Sequence, residues 1–195
     1  LLSRGMTQQL AFGAAALMAK VDPELAAEAQ EEMIMQGLKE VTMHEIGHTL
    51  GLRHNFKASA YRSLSDLNDP AKTRETGMSA SVMDYTPVNI VPKGMKQGDF
   101  FSNTVGPYDL WAIEYGYRIP GAEDGGEENM LRSIASRSAE PGLAYATDED
   151  TMGLTSPDPL VNRWDLAADP LAWANAGQPP VAFAGASLKT TISGL

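Results

Sequence analysis

The chain has no cysteine, which excludes disulfides, zinc–thiolate sites and cysteine nucleophiles. Positive charge is also in short supply: 15 Lys and Arg face 25 Asp and Glu, for a net charge of −10. Nucleic acid and anionic membrane surfaces both select concentrated positive charge, so neither is expected as the main partner. No apolar run approaches the roughly 20 residues that cross a bilayer. The start, Leu1-Leu2-Ser3-Arg4-Gly5, has no basic segment followed by an apolar core and so is not a signal peptide. It also lacks an initiator Met, and the chain is expected to be a piece of a longer parent protein. Histidine is scarcer still, with three in 195 residues. All three fall in one stretch, His44 to His54, which leaves no base for a Ser-His-Asp triad. No G-x-x-x-x-G-K-[ST] phosphate loop is present.

What remains is ordinary for a folded protein, with 43% hydrophobic and 21% charged residues. The acidic excess is local. Between Gly121 and Leu160, nine acidic residues stand against Arg132 and Arg137. Residues 6–20, rich in Ala, Leu, Met and Gln, predict a helix. Asp22-Pro23-Glu24 is a second start: a cap, a proline suited to the first helical position, and a carboxylate at the positive end of the dipole. No proline follows before Leu50, and Leu25, Ala29, Met33, Gly37 and Val41 fall on one face, so one long helix is expected. Gly51 is placed to end it in a left-handed turn. Residues 56–104 carry many turn signals and predict a long loop region with short helical turns. A helix is expected over 107–115, with Leu110, Trp111 and Ile113 in the core, then an acidic loop over 121–129. Shorter helical pieces are expected at 128–138 and 170–175.

The chemistry lies in His44-Glu45-Ile46-Gly47-His48-Thr49-Leu50-Gly51-Leu52-Arg53-His54. Residues four apart on a helix share a face, so the imidazoles of His44 and His48 can address one ion. Glu45 can reach a water held by that ion without being a ligand, and can act as general base. Gly51 lets the backbone turn sharply and bring His54 round as a third nitrogen ligand. Three histidines leave a fourth position open, the mark of a catalytic rather than a structural zinc site. Asp148-x-Asp150-x-Met152-Gly153 faintly resembles a calcium loop. However, Met152 replaces an oxygen ligand and Pro159 stands where the closing glutamate belongs, so a solvated acidic loop is expected.

The eleven-residue stretch resembles the zinc-binding consensus of the metzincin metallopeptidases. Ser81-Val82-Met83-Asp84-Tyr85 is similar to the turn that those enzymes place beneath the metal, which implies that Met83 forms an apolar floor under the histidines. Tyr85 stands where some metzincins carry a tyrosine that ligates zinc at rest and swings to hydrogen-bond the reacting carbonyl. Residues 106–116 resemble the last helix of metzincin catalytic domains. The wording around His54-Asn55-Phe56, Tyr108–Tyr117, Thr147–Asp150 and Asn162–Asp165 is closest to large bacterial zinc-dependent metalloproteases with a met-zincin-like domain of unknown function.

The resemblance implies a zinc-dependent peptidase acting on peptide or protein, with Zn2+ on His44, His48 and His54. Glu45 and Tyr85 would act in catalysis, and Gly51 and Met83 would support the site. The alternative is a non-catalytic, metal-stabilised binding or scaffolding module derived from a metzincin. Only 43 residues precede His44, and they read as helix rather than as the sheet with which metzincin domains begin. The expected fold is therefore mainly α with long loops: the zinc-helix and Met-turn part of an α/β catalytic domain, with its N-terminal sheet outside this chain. Residues 1–120 are expected to form the zinc-binding region, and 121–195 an acidic and helical extension. The resemblance further implies a periplasmic or secreted location.

Overall fold

A computed structural model describes residues 2–91, 96–152 and 158–176. The molecule is mainly helical, and no strand occurs among the described residues. Helix α1 spans Leu2–Lys20 and α2 spans Pro23–Thr49. Four shorter helices follow: α3 (Pro70–Thr76), α4 (Pro107–Tyr117), α5 (Glu127–Ser136) and α6 (Pro170–Asn175). Single 3-10 turns lie between them at Ala58–Tyr61, Asp66–Asn68, Ala122–Asp124, Arg137–Ala139 and Asp148–Thr151. The predicted helices are all present. Helix α4 runs two residues past its expected end, to Tyr117. No helix among the described residues is long and apolar enough to cross a membrane.

Helices α1 and α2 pack along a seam where glycine permits close approach. A Cβ at Gly13 would overlap the Met33 sulfur, and one at Gly37 would press on the Phe101 ring. The buried face of α2 is Ala26, Met33, Gln36, Gly37, Glu40, His44 and Gly47. The expected face is therefore corrected at its start. Leu25 is 57% exposed, and the small Ala26 faces inward instead. A second correction concerns α4. Leu110 is 60% exposed, Trp111 and Ile113 are only half-buried, and the buried residue of that helix is Asp109.

Asp109 illustrates how the loops are held. Without a sheet ladder, buried backbone N–H groups need other acceptors, and side chains supply them. Asp109 accepts from the backbone of Val82 (2.9 Å) and Gly106 (2.8 Å) and from the Ser81 hydroxyl. Gln36 Oε1 accepts from Phe100 (2.6 Å) and Phe101 (3.1 Å). Glu40 accepts from Ser102 N and the Thr86 hydroxyl, and Gln9 accepts from Val88 N. Asp84 accepts from the backbone of Ser59 and Tyr85. Three apolar clusters fill the spaces between these pins. One joins α1 and α2 to Val88, Ile90, Phe100 and Phe101. The second gathers Leu2, Phe56, Tyr85, Ala146, Val161 and Trp164. The third lies around Leu67, Met78, Leu166 and Trp173.

Candidate metal centre

Helix α2 presents His44 and His48 from its last two turns, then stops. Leu50 caps it by donating back to Ile46 and Gly47, and Gly51 takes φ of +85°, the left-handed conformation expected there. Leu52 N bonds back to Gly47 O, so the chain reverses tightly and delivers His54 to the same place. One ring nitrogen from each of His44, His48 and His54 lies within 4.8 Å of the other two. No other such group of metal-capable side chains occurs among the described residues.

The second nitrogen of each ring is engaged by the protein. His44 Nδ1 is 2.7 Å from Val82 O, His48 Nδ1 is 2.9 Å from Leu52 O, and His54 Nδ1 is 2.8 Å from Asp148 Oδ2. A carbonyl or an ionised carboxylate only accepts, so each Nδ1 carries a proton, and the neutral form of each ring has its lone pair on Nε2. His44 Nε2 is buried and has no hydrogen-bond partner among the described residues. Burial is the main cause holding the His44 imidazolium pKa down at about 4, with the charges of His48 and His54 adding to it. At neutral pH this ring is therefore neutral and ready to donate. Three imidazoles, each with its Nδ1 held by an outer partner, form a donor set that fits zinc.

Met83 lies directly beneath. It is fully buried, and a Cβ on Gly47 would overlap its sulfur, so the methionine packs against the bare backbone of α2 between His44 and His48. Met83 O accepts from Asn55 N (3.0 Å), which ties the turn to the residue after His54. Tyr85 places its hydroxyl 3.0 Å from His54 Nε2, and its ring 5.4 Å from that of His44. Burial raises the Tyr85 phenol, and the nearby carboxylates of Asp148 and Glu45 push in the same direction. Glu45 is exposed beside His48, so one side of the cluster faces solvent. A groove of about 890 Å³ runs past Met35, Leu38, Thr42 and Met43 on α2 and does not include the histidines.

The acidic segment departs from expectation. Glu149 and Asp150 are exposed, but Asp148 is half-buried and engaged with His54 and with Arg163 Nη2 (3.2 Å). Burial alone would raise its carboxyl, yet His54 and Arg163 together outweigh that and hold it below the usual range. Asp148 is thus part of the centre rather than of a solvated loop. The only foreshadowing in the sequence was the wording of Thr147–Asp150.

A family model described as Met-zincin matches residues 26–189. No curated protein and no solved structure matches the chain.

Proposed function

This chain belongs to the Met-zincin family, and from that premise we propose that it carries the catalytic centre of a zinc-dependent peptidase. The observation that carries the reading is the trio of His44, His48 and His54, each with Nδ1 turned to a protein acceptor and Nε2 left to donate. These three residues would hold the zinc. When bound, the ion supplies Lewis acidity that polarises the scissile carbonyl and makes water nucleophilic near neutral pH. Glu45 follows the first ligand on α2 and faces solvent, where its carboxylate can take a proton from the attacking water and hand it to the leaving amine. Tyr85 can give up its contact with His54 Nε2 and donate its hydroxyl to the carbonyl oxygen as charge develops there. Met83, locked under Gly47, keeps the floor of the site apolar and the two helical ligands in register.

The helices and loops described here would form the metal-bearing part of an α/β catalytic domain. The substrate-aligning sheet would come from outside this chain, and the protein would act outside the cytoplasm. The reading is tested on the full-length protein with a quenched fluorescent peptide library. Replacing Glu45 by Gln should cut hydrolysis by roughly 10²–10⁴-fold while zinc content stays at one per chain. Replacing His44 by Ala should abolish zinc retention. Hydrolysis unchanged in Glu45→Gln would remove Glu45 from the mechanism. Stoichiometric zinc with no hydrolysis in any form would favour a scaffolding module.

A further inference from the structure

Two of the three imidazoles are oriented by main-chain carbonyls, Val82 O for His44 and Leu52 O for His48. His54 alone is oriented by a side chain, and that side chain comes from 94 residues further along. The link is built on several independent contacts. Asn55 Oδ1 accepts from Ala146 N (3.2 Å), its Nδ2 donates to Ala144 O (3.0 Å), and Phe56 N donates to Ala146 O (2.7 Å). These bonds lay the segment before Asp148 alongside the segment after His54. Thr147 N is then capped by Asp150 Oδ2 (2.8 Å), which fixes the turn bearing Asp148. Arg163 completes the bracket. Its Nη2 donates to Asp148 Oδ1, and its guanidinium lies 4.8 Å over the Phe56 ring. Phe56 in turn packs on the face of His54 at 5.0 Å.

We propose that Asp148, braced by Arg163, is a positioning residue of the metal centre: its carboxylate fixes the ring orientation and the Nδ1-protonated tautomer of His54. This inference rests on reading the three histidines as zinc ligands. A carboxylate accepting Nδ1–H also makes Nε2 a better donor, and partners of this kind typically account for 10–100-fold in metal affinity. Of the three orienting acceptors, Asp148 is the only one that a side-chain substitution can remove.

The test uses the full chain in four forms: wild type, Asp148→Ala, Asp148→Asn and Glu149→Ala. Zinc affinity is read by competition with a chromophoric chelator. Asp148→Ala should bind zinc about 10–100-fold more weakly, and its cobalt-substituted form should show an altered d–d absorption spectrum. Asp148→Asn keeps an acceptor oxygen in the same shape, so it should recover most of the affinity and the wild-type spectrum. Glu149→Ala breaks only the exposed pair with Arg53 and should leave affinity unchanged. In the metal-free protein, ¹⁵N NMR should find His54 protonated at Nδ1 in the wild type and a tautomer mixture in Asp148→Ala. An unchanged tautomer together with unchanged zinc affinity in Asp148→Ala would overturn the role. A wild type that binds no zinc, but whose His54 tautomer still depends on Asp148, would overturn the metal reading and leave the positioning role standing.

Discussion

Gly47 shows what a single atom decides at this centre. In a helix interior, alanine is ordinarily better than glycine by up to about 1 kcal/mol. Here a methyl group would enter the volume of the Met83 sulfur, in a fully buried site where overpacking typically costs about 1–3 kcal/mol. The clash outweighs the propensity. Gly47→Ala should therefore lower stability by roughly 1–2 kcal/mol, measured by urea denaturation, and should weaken zinc binding because His44 and His48 flank the strained point. A stabilised variant would mean that Met83 moves freely and is not a floor. At this scale the sequence was informative where the chemistry is local. His44, Glu45 and His48 lie on one helical turn, and Gly51 and His54 follow within six residues, so their spacing carries their geometry. Asp148 has no such relation to His54 in the sequence, and its role is visible only once the two segments lie side by side.

At the scale of the element, α2 must stop abruptly for His54 to reach the site. Gly51 supplies the stop with a φ that other residues adopt only at a cost. Nothing lies within 4 Å of the position a Cβ would take there, so the penalty of Gly51→Ala is conformational alone, about 1–2 kcal/mol. Calorimetric melting should show that loss, and a neutral result would mean that the turn relaxes without strain. Helix α4 is the opposite case. Its apolar residues suggested a packing helix inserted through Leu110, Trp111 and Ile113. The helix instead turns Asp109 inward to hold Ser81, Val82 and Gly106, and so fixes the turn that carries Met83. Periodicity predicted that α4 exists. It could not reveal that the helix docks through a carboxylate, because two of the three partner groups are backbone N–H donors that any sequence possesses.

Across the whole molecule, buried carboxylates set the response to pH. Burial pushes Glu40 and Asp165 up to about 7, while burial and then the charge of Asp165 hold Asp84 well above the usual carboxylate range. Their folded pKa values exceed their unfolded ones. Between about pH 4 and 7 the folded state therefore binds more protons than the unfolded chain, and stability falls as pH rises through that window. His44 acts in the opposite sense, since burial lowers it to about 4, but it is one group against these three and Asp109, which burial also raises. The metal-free protein should lose melting temperature between pH 5 and 8. Glu40→Gln keeps an oxygen for Thr86 and Ser102 and should flatten that slope, with a gain of up to about 3 kcal/mol at pH 8. A melting temperature that rises across this range would show these carboxyls to be ionised in the fold. Helix content was readable from composition and caps, because both are local. The arrangement of the loops was not, since it depends on Gln9, Gln36, Glu40, Asp84 and Asp109 reaching backbone donors far along the chain.

The bracket around His54 also has a consequence in time. His54 pairs with Asp148, Lys57 with Asp158, and Ser59 with Asp165, each across about a hundred residues of chain. During synthesis at roughly 5–20 residues per second, all three histidines exist for on the order of ten seconds before these partners do. For that interval His54 lacks the acceptor that orients its ring. On the proposed zinc reading, the finished chain and not the histidine motif alone would set how firmly an ion is kept.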